Sequence, residues 1–268
     1  MYWKPEPHHY PPYLRTRVRR GQGVRCGQDY RPWLRVRDVP SDGTSSIVSG
    51  INIRRPFHLL SELEATYFFL AERKAITVDL MEQWPIFDID RTLELSARFG
   101  VQHPRKRGFP EPFTIDFLIS EDTGGGVKHR AASIKSADDA RDPSMRRRLA
   151  VERAWCAERG IPWTLVDTSH FSKRLLSNLR FMRGWFRHGY KPDTRQADCF
   201  AAAFQSTYAP NVCLGELIQR AAKPLRLCDD TADDLFRYCA WTGRIAVSLH
   251  SELTLDRPLV RPDNERHG

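Results

Sequence analysis

Glu64, Asp116 and Lys135 are residue types that can cut a phosphodiester if the fold brings them together. That hydrolysis needs a nucleophilic water and stabilisation of charge on the phosphoryl and leaving oxygens. A divalent cation held by a few carboxylates supplies both, and a nearby lysine can orient the water and neutralise developing charge. Asp116 lies inside the apolar run Phe113–Ile119, where strand propensity disfavours it. The run after the next turn ends in Ser133-Ile134-Lys135. Side chains two apart on a strand share a face, so Ser133 and Lys135 point one way, and a hairpin can set Asp116 beside them. Each residue also has an ordinary reading. Glu64 fits the acid of a capping box, Asp116 an arginine partner, and Lys135 the end of a strand. An Asp followed at a distance by x-x-Lys is common by chance.

The elements that would position these groups are legible in outline. Ser61-Glu62-Leu63-Glu64 opens a helix as a capping box, and Leu63, Tyr67 and Leu70 recur at helical spacing. Ala75–Met81 reads as a strand with Ile76, Val78 and Leu80 on one face. Asp90 starts a helix that Gly100 ends. Phe113–Ile119 and about Val127–Lys135 are strands joined by the turn Asp122-Thr123-Gly124-Gly125-Gly126. Asp142-Pro143 starts a helix ended by Gly160, and Pro162–Val166 is a further strand. This order predicts an α/β domain, a mixed sheet flanked by helices. After Asp167 a basic amphipathic helix over Ser172–Arg187 is expected, then helices near Leu214–Ala222 and Thr231–Tyr238. A hairpin from Ile245–Leu249 and Leu253–Leu255 would complete a winged-helix outline. Before the first helix, Trp33-Leu34-Arg35-Val36-Arg37 alternates like a strand, with Trp33 packing, and Ser41-Asp42-Gly43 is a turn. The expected division is a basic, flexible leader at 1–20, an α/β domain at 21–168 and a winged-helix-like domain at 169–268.

With 268 residues, 41% hydrophobic and 28% charged, the chain can bury a sizeable core. No apolar run approaches the ~18 residues of a membrane span, and the opening MYWKPEPHHYPPY has no apolar signal segment, so a cytoplasmic protein with no membrane association is expected. The six cysteines show no CxxC pair or zinc-finger spacing and read as small, buried, reduced thiols. Net charge is +9. Residues 1–60 hold eleven Lys/Arg against four Asp/Glu, a surplus that suits a polyanionic partner. Gly21, Gly23 and Gly27 do not link a strand to a helix, which excludes a dinucleotide-binding loop.

In order along the chain, Gly21-Gln22-Gly23, Asp29-Tyr30, Pro32-Trp33-Leu34, Val39-Pro40-Ser41, His58-Leu59-Leu60-Ser61 with Leu63-Glu64, Asp79-Leu80 with Glu82-Gln83 and Pro85, His103-Pro104, Asp116-Phe117-Leu118, Ile134-Lys135, Glu152-Arg153 and Ile161-Pro162-Trp163 form a specific set. With these segments the chain resembles the TnsA family, the endonuclease subunits of bacterial heteromeric transposases, over about residues 21–167. The resemblance implies a restriction-endonuclease-like (PD-(D/E)xK) fold. It also implies that Glu64, Asp116 and Lys135 occupy catalytic positions, with Glu64 and Asp116 holding Mg²⁺ (Mn²⁺ substituting). The implied reaction cuts the 5′ ends of a transposon in double-stranded DNA. The implied partners are a TnsB-type transposase and, through the C-terminal domain, a TnsC-type ATPase. The family commonly has Gln or Glu two residues before the lysine; Ser133 is a shorter, weaker ligand that would act through water or its backbone. Glu152, on the stripe Met145, Leu149, Glu152, Cys156, could compensate, or simply pair with Arg148 on the helix surface. Glu82 is expected to support the site by a hydrogen bond or to end a strand. Arg15, Arg17, Arg19, Arg20 and Arg25 are expected to track DNA phosphates; docking on an acidic face of the TnsB-type partner is the alternative. Two other functions stay open: a stand-alone restriction or defence nuclease, and a catalytically weakened assembly factor.

Overall fold

A computed structural model describes residues 10–39 and 44–262. The Ser41-Asp42-Gly43 turn lies outside the described residues. The chain divides into two compact units, Met1–His170 and Phe171–Gly268.

The first unit is built on a four-stranded mixed sheet in the order β3-β6-β7-β8. β3 (Thr77–Ile86) pairs antiparallel with β6 (Phe113–Asp122), β6 antiparallel with β7 (Val127–Ile134), and β7 parallel with β8 (Trp163–Val166). A parallel pair needs a long crossover; α4 (Ala137–Arg141) and α5 (Pro143–Glu158) supply it. Pro143 begins α5 after Asp142, whose carboxylate accepts from the Met145 N–H at 2.7 Å. The remaining elements are α1 (Pro12–Arg19), a ribbon of β1 (Ser46–Ser49) and β2 (Pro56–Leu59), α2 (Glu62–Glu72), α3 (Ile89–Phe99), and a second ribbon of β4 (Arg105–Lys106) and β5 (Phe109–Pro110). Trp84, Ile86, Phe113 and Ile115 from the sheet bury against Val151 and Trp155 of α5 and Leu95 of α3. Trp155 is fully buried, 5.7 Å from the Trp84 ring; its loss to alanine would cost about 3–5 kcal/mol.

The mixed sheet and flanking helices are those expected, with local corrections. β3 runs on to Ile86 rather than ending at Met81, and takes in Pro85, which an edge strand tolerates. A bulge between Thr77 and Asp79 breaks the alternation, so Val78 and Ile76 stand exposed while Leu80 is buried. The leader is not loose from Tyr10 onward. Leu14 and Val18, one helical turn apart on α1, bury with Trp33 and Phe87, and the Tyr10 hydroxyl donates to the Phe87 carbonyl at 2.8 Å. Trp33–Arg37 is not a strand. Asp38 accepts from the Arg35 backbone and guanidinium, closing a 3-10 turn over Val36–Asp38. Only Cys156 and Cys239 of the six cysteines are buried, though all six are free.

The second unit is helical: α6 (Lys173–Met182), α7 (Gly184–Arg187), α8 (Thr194–Thr207), α9 (Leu214–Ala222) and α10 (Asp229–Trp241). Phe200, Phe204, Leu217, Ile218, Leu235 and Phe236 form its interior. The expected single helix over Ser172–Arg187 is interrupted at Arg183, and α8 was not anticipated. The expected winged-helix hairpin is absent among the described residues, where Ile245–Leu249 and Leu253–Leu255 carry no paired strands. The side chain of Asn178 on α6 takes the backbone bonds that strand pairing would use. It donates to the carbonyls of Leu249 (3.0 Å) and Ser251 (2.7 Å) and accepts from the Leu253 N–H (3.1 Å). No helix of the described chain is long and apolar enough to cross a membrane.

Candidate active site

The antiparallel register of β6 and β7 brings Asp116 to the end of β7. One Asp116 carboxylate oxygen accepts from the Ile134 N–H at 2.6 Å and from Lys135 Nζ at 2.7 Å. The Lys135 carbonyl is fixed from the other side by the Thr168 hydroxyl at 2.8 Å. Glu64 enters from the first turn of α2, and its carboxylate is not bonded back to the Ser61 N–H as the acid of a capping box would be. Its N–H donates to Ser61 Oγ at 3.1 Å, as a helix start requires. Its carboxylate turns inward, accepting from the Leu60 N–H at 3.0 Å and Gln83 Nε2 at 3.3 Å.

Glu152 completes a set of three inward acids. It is 3% exposed and accepts from Ser133 Oγ at 2.6 Å, so the surface pairing with Arg148 is not what the fold makes of it. Ser133 Oγ also accepts from Trp163 Nε1 at 3.1 Å. The hydroxyl at the unusual position is therefore already engaged by an indole and a carboxylate.

The electrostatics follow from burial of three acids around one lysine. Burial, reinforced by the Asp116 charge, pushes the Glu64 carboxyl up to about 8. The same two causes push Glu152 up to about 7. Burial works to lower Lys135, but Asp116, Glu152 and Glu64 outweigh it and hold the ammonium above its ordinary value. A buried carboxyl that favours its protonated form for want of positive charge is a place where a cation would be welcome. All donors here are oxygens, the set that suits a hard cation. Among the described residues no three His, Cys, Asp or Glu side chains form a ready-made metal cluster. A Mg²⁺ site built from one or two carboxylates and completed by substrate phosphate needs none, so Glu64 and Asp116 fit that ion.

Glu82 does not join this cluster. It is fully buried in a two-pronged ion pair with Arg55, at 2.9 and 2.6 Å, and accepts from the His58 N–H at 3.1 Å. Arg55 also donates to the Leu80 carbonyl and lies over the Phe57 ring at 3.6 Å. Its neighbour Gln83, buried and with φ of 48°, is the residue that reaches Glu64. The left-handed backbone is unusual for glutamine and is braced by the Trp33 N–H donating to the Gln83 carbonyl at 3.3 Å. Reading the sequence assigned no role to Gln83, Arg55, Trp163 or Thr168. Gln83 and Trp163 stood within segments already noted; nothing local pointed to Arg55 or Thr168.

Of the five arginines expected to meet DNA, Arg19, Arg20 and Arg25 are exposed and Arg15 is half-buried. Arg17 is committed to the protein. It lies 3.7 Å over the Trp33 ring, donates to the Trp33 carbonyl and to Gln22 Oε1, and pairs with Glu111 at 3.6 Å.

Residues 76–168 match the family described as TnsA-like endonuclease N terminal. The transposon Tn7 transposition protein TnsA of Escherichia coli is 30% identical over 169 residues, which are 63% of this chain and 61% of that protein. The chain thus aligns with less than two thirds of that relative's length. The matched segment contains Asp116, Ser133, Lys135 and Glu152, and Glu64 precedes it. By these matches the chain is similar to TnsA, and the strands that carry Asp116 and Lys135 lie within the segment that matches the TnsA-like endonuclease domain.

Proposed function

We propose that this protein is the DNA endonuclease subunit of a heteromeric transposase, hydrolysing the phosphodiester at the 5′ ends of the transposon during cut-and-paste transposition. The sheet is then of the restriction-endonuclease-like type, residues 21–168 are the cutting domain, and residues 169–268 meet a TnsC-type ATPase. A TnsB-type transposase and double-stranded transposon ends are its other partners, in the cytoplasm. The observation that carries the reading is the shared oxygen of Asp116, bonded to Lys135 Nζ at 2.7 Å, together with a buried Glu64 whose carboxyl is pushed up by burial and by the Asp116 charge.

In this reading Asp116 and Glu64 hold Mg²⁺, or Mn²⁺ in its place. The bound ion would supply an acidified water and charge stabilisation on the phosphoryl oxygens. Lys135 stands where it can orient the water and offset charge on the phosphate. The Ile134 N–H keeps the Asp116 carboxylate from rotating, and Gln83 does the same for Glu64. Glu152, with Ser133, adds negative potential behind Lys135 and helps keep that lysine charged.

In a reaction reconstituted with partner proteins and Mg²⁺, Asp116→Ala and Lys135→Ala should each lower 5′-end cutting at least about a hundredfold, with partner binding retained. Full cutting by both variants overturns the assignment. One observation favours a second reading, an assembly factor with weakened catalysis: Ser133 is engaged by Glu152 and Trp163 rather than free to ligate. Calorimetric titration of Mn²⁺ with DNA present separates the two, since the weakened factor shows no binding that depends on Asp116.

A further inference from the structure

Between α3 and β6 the chain makes the tight ribbon β4–β5, whose turn places Arg107 (φ 52°) and Gly108 (φ 83°) in the left-handed region. Two positive φ values in succession are those of a hairpin turn matched to strand twist. The result is three consecutive exposed cations, Arg105, Lys106 and Arg107, on a short ribbon rather than a loose loop. The ribbon is anchored to α1. The Tyr13 hydroxyl donates to the Lys106 carbonyl at 2.9 Å, and the Tyr13 ring meets Phe109 edge-on at 6.4 Å.

Beside it lies a cleft of about 390 Å³ whose lining carries six Arg or Lys side chains against two carboxylates. Those carboxylates are already matched, Asp38 with Arg35 at 3.0 Å and Glu111 with Arg17 at 3.6 Å. The excess is Arg20, Arg105, Lys106 and Arg148. Protein interfaces bury an apolar centre and deplete lysine; a cleft with four surplus cations suits a polyanion instead.

Its place in the fold says which polyanion. Thr114 lines the cleft, and Asp116 is two residues further along the same strand, about 7 Å. Arg148 lines it too, and Glu152 is one turn further along α5, about 6 Å. A DNA strand advances about 3.4 Å per nucleotide. We infer that this ribbon and cleft bind the backbone of duplex DNA about two nucleotides from the bond presented to Asp116, with Arg105, Lys106, Arg107 and Arg148 as the phosphate contacts. The location rests on the cutting function proposed above; the surplus of charge does not. DNA would then meet the β4–β5 ribbon as well as the N-terminal arginines, and Arg17 would serve as part of the wall.

The test is fluorescence anisotropy of the full chain with a labelled duplex of arbitrary sequence, EDTA present, across a salt series. Arg105 and Lys106 are exposed, so the double variant Arg105→Glu/Lys106→Glu should keep the parent melting curve. Its affinity should fall at least about tenfold, and the slope of log affinity against log salt should shrink by about two. Arg19→Glu/Arg25→Glu, which alters exposed cations outside the cleft lining, should change both less. The inference is overturned if the parent chain fails to bind DNA at low salt, if the ribbon variant binds like the parent, or if it loses no more than the Arg19/Arg25 variant. Stronger displacement of the duplex by polyglutamate than by unlabelled DNA also overturns it, in favour of an acidic protein partner. A parallel cutting assay separates this inference from the function it builds on. Loss of binding in the ribbon variant, with no Asp116-dependent cutting by the parent, leaves the cleft standing and removes the nuclease. Normal Asp116-dependent cutting with unchanged binding does the reverse.

Discussion

Two groups of buried acid lie on or beside β3, and they are balanced very differently. Glu82 faces Arg55 alone, with both carboxylate oxygens bonded and the guanidinium sandwiched against Phe57. One residue on, Gln83 reaches Glu64, in a cluster where Glu64, Asp116 and Glu152 surround a single lysine. The first group gives its one acid a cation of its own, although burial still holds the Glu82 carboxyl above its ordinary value and Arg55 Nε has no hydrogen-bond partner; removing either member leaves an uncompensated charge in the interior. The second is short of positive charge even though its hydrogen bonds are well made. Buried carboxylates left in that state weaken a fold, and sites of chemistry are where such groups gather. The contrast separates the two groups: Glu82 has Arg55 as its own counter-charge, while Glu64 accepts from Gln83 and the Leu60 N–H and shares the field of Lys135 with Asp116 and Glu152.

The largest expected effect would break the balanced group. Arg55→Leu should destabilise the protein by about 3–5 kcal/mol in urea unfolding, whereas Asp116→Ala should retain a cooperative transition near the parent midpoint. If Arg55→Leu proves neutral, the two groups do not differ in the way described. Replacing both members, Arg55→Leu with Glu82→Leu, should cost less than Arg55→Leu alone, because no orphan charge remains.

A subtler effect tests the unbalanced group through pH. The fold holds the Glu64 carboxyl at about 8, above its ordinary value of 4.5, so folding favours its protonated form. That contribution is full below the ordinary value and is lost as pH rises through about 8. Glu64→Gln removes it. In EDTA the variant should therefore gain in melting temperature relative to the parent between about pH 5 and about pH 9. A gap between the two proteins that stays constant with pH would show that Glu64 is already compensated. The smallest effect expected is that of Ser133→Ala, which removes the hydroxyl shared by Glu152 and Trp163. It should cost about 1 kcal/mol of stability and leave 5′-end cutting within about twofold of the parent if Ser133 is not a ligand. A loss of cutting matching that of Asp116→Ala would make Ser133 part of the metal-binding set.

Much of the first unit could be read from local pattern, because capping, turn and alternation signals are local physics. Ser61 before Glu64, Asp142-Pro143, and the glycine turn between β6 and β7 each do in the structure what their residue types predict. The same kind of reading failed where a distant group supplied the decisive bond. Asn178 replaced strand pairing at Leu249 and Leu253, and Asp38 turned an alternating segment into a 3-10 turn. Leu14 and Val18 found Trp33 and Phe87, so residues from Tyr10 that looked like a loose leader are ordered.

The candidate site divides along the same line. The sequence by itself determined which residues could act: an Asp misplaced in an apolar strand, a Lys ending the next strand, and a Glu one turn into a capped helix. Their types and spacing follow from the chain alone. Only the tertiary structure decided that Glu152 faces inward to Ser133, that Glu82 belongs to Arg55, and that Gln83 holds Glu64. Those outcomes depend on which side chains from remote segments reach one another and on how far water is excluded around them. Burial, and the shifts in charge that it causes, exist only once the chain has closed.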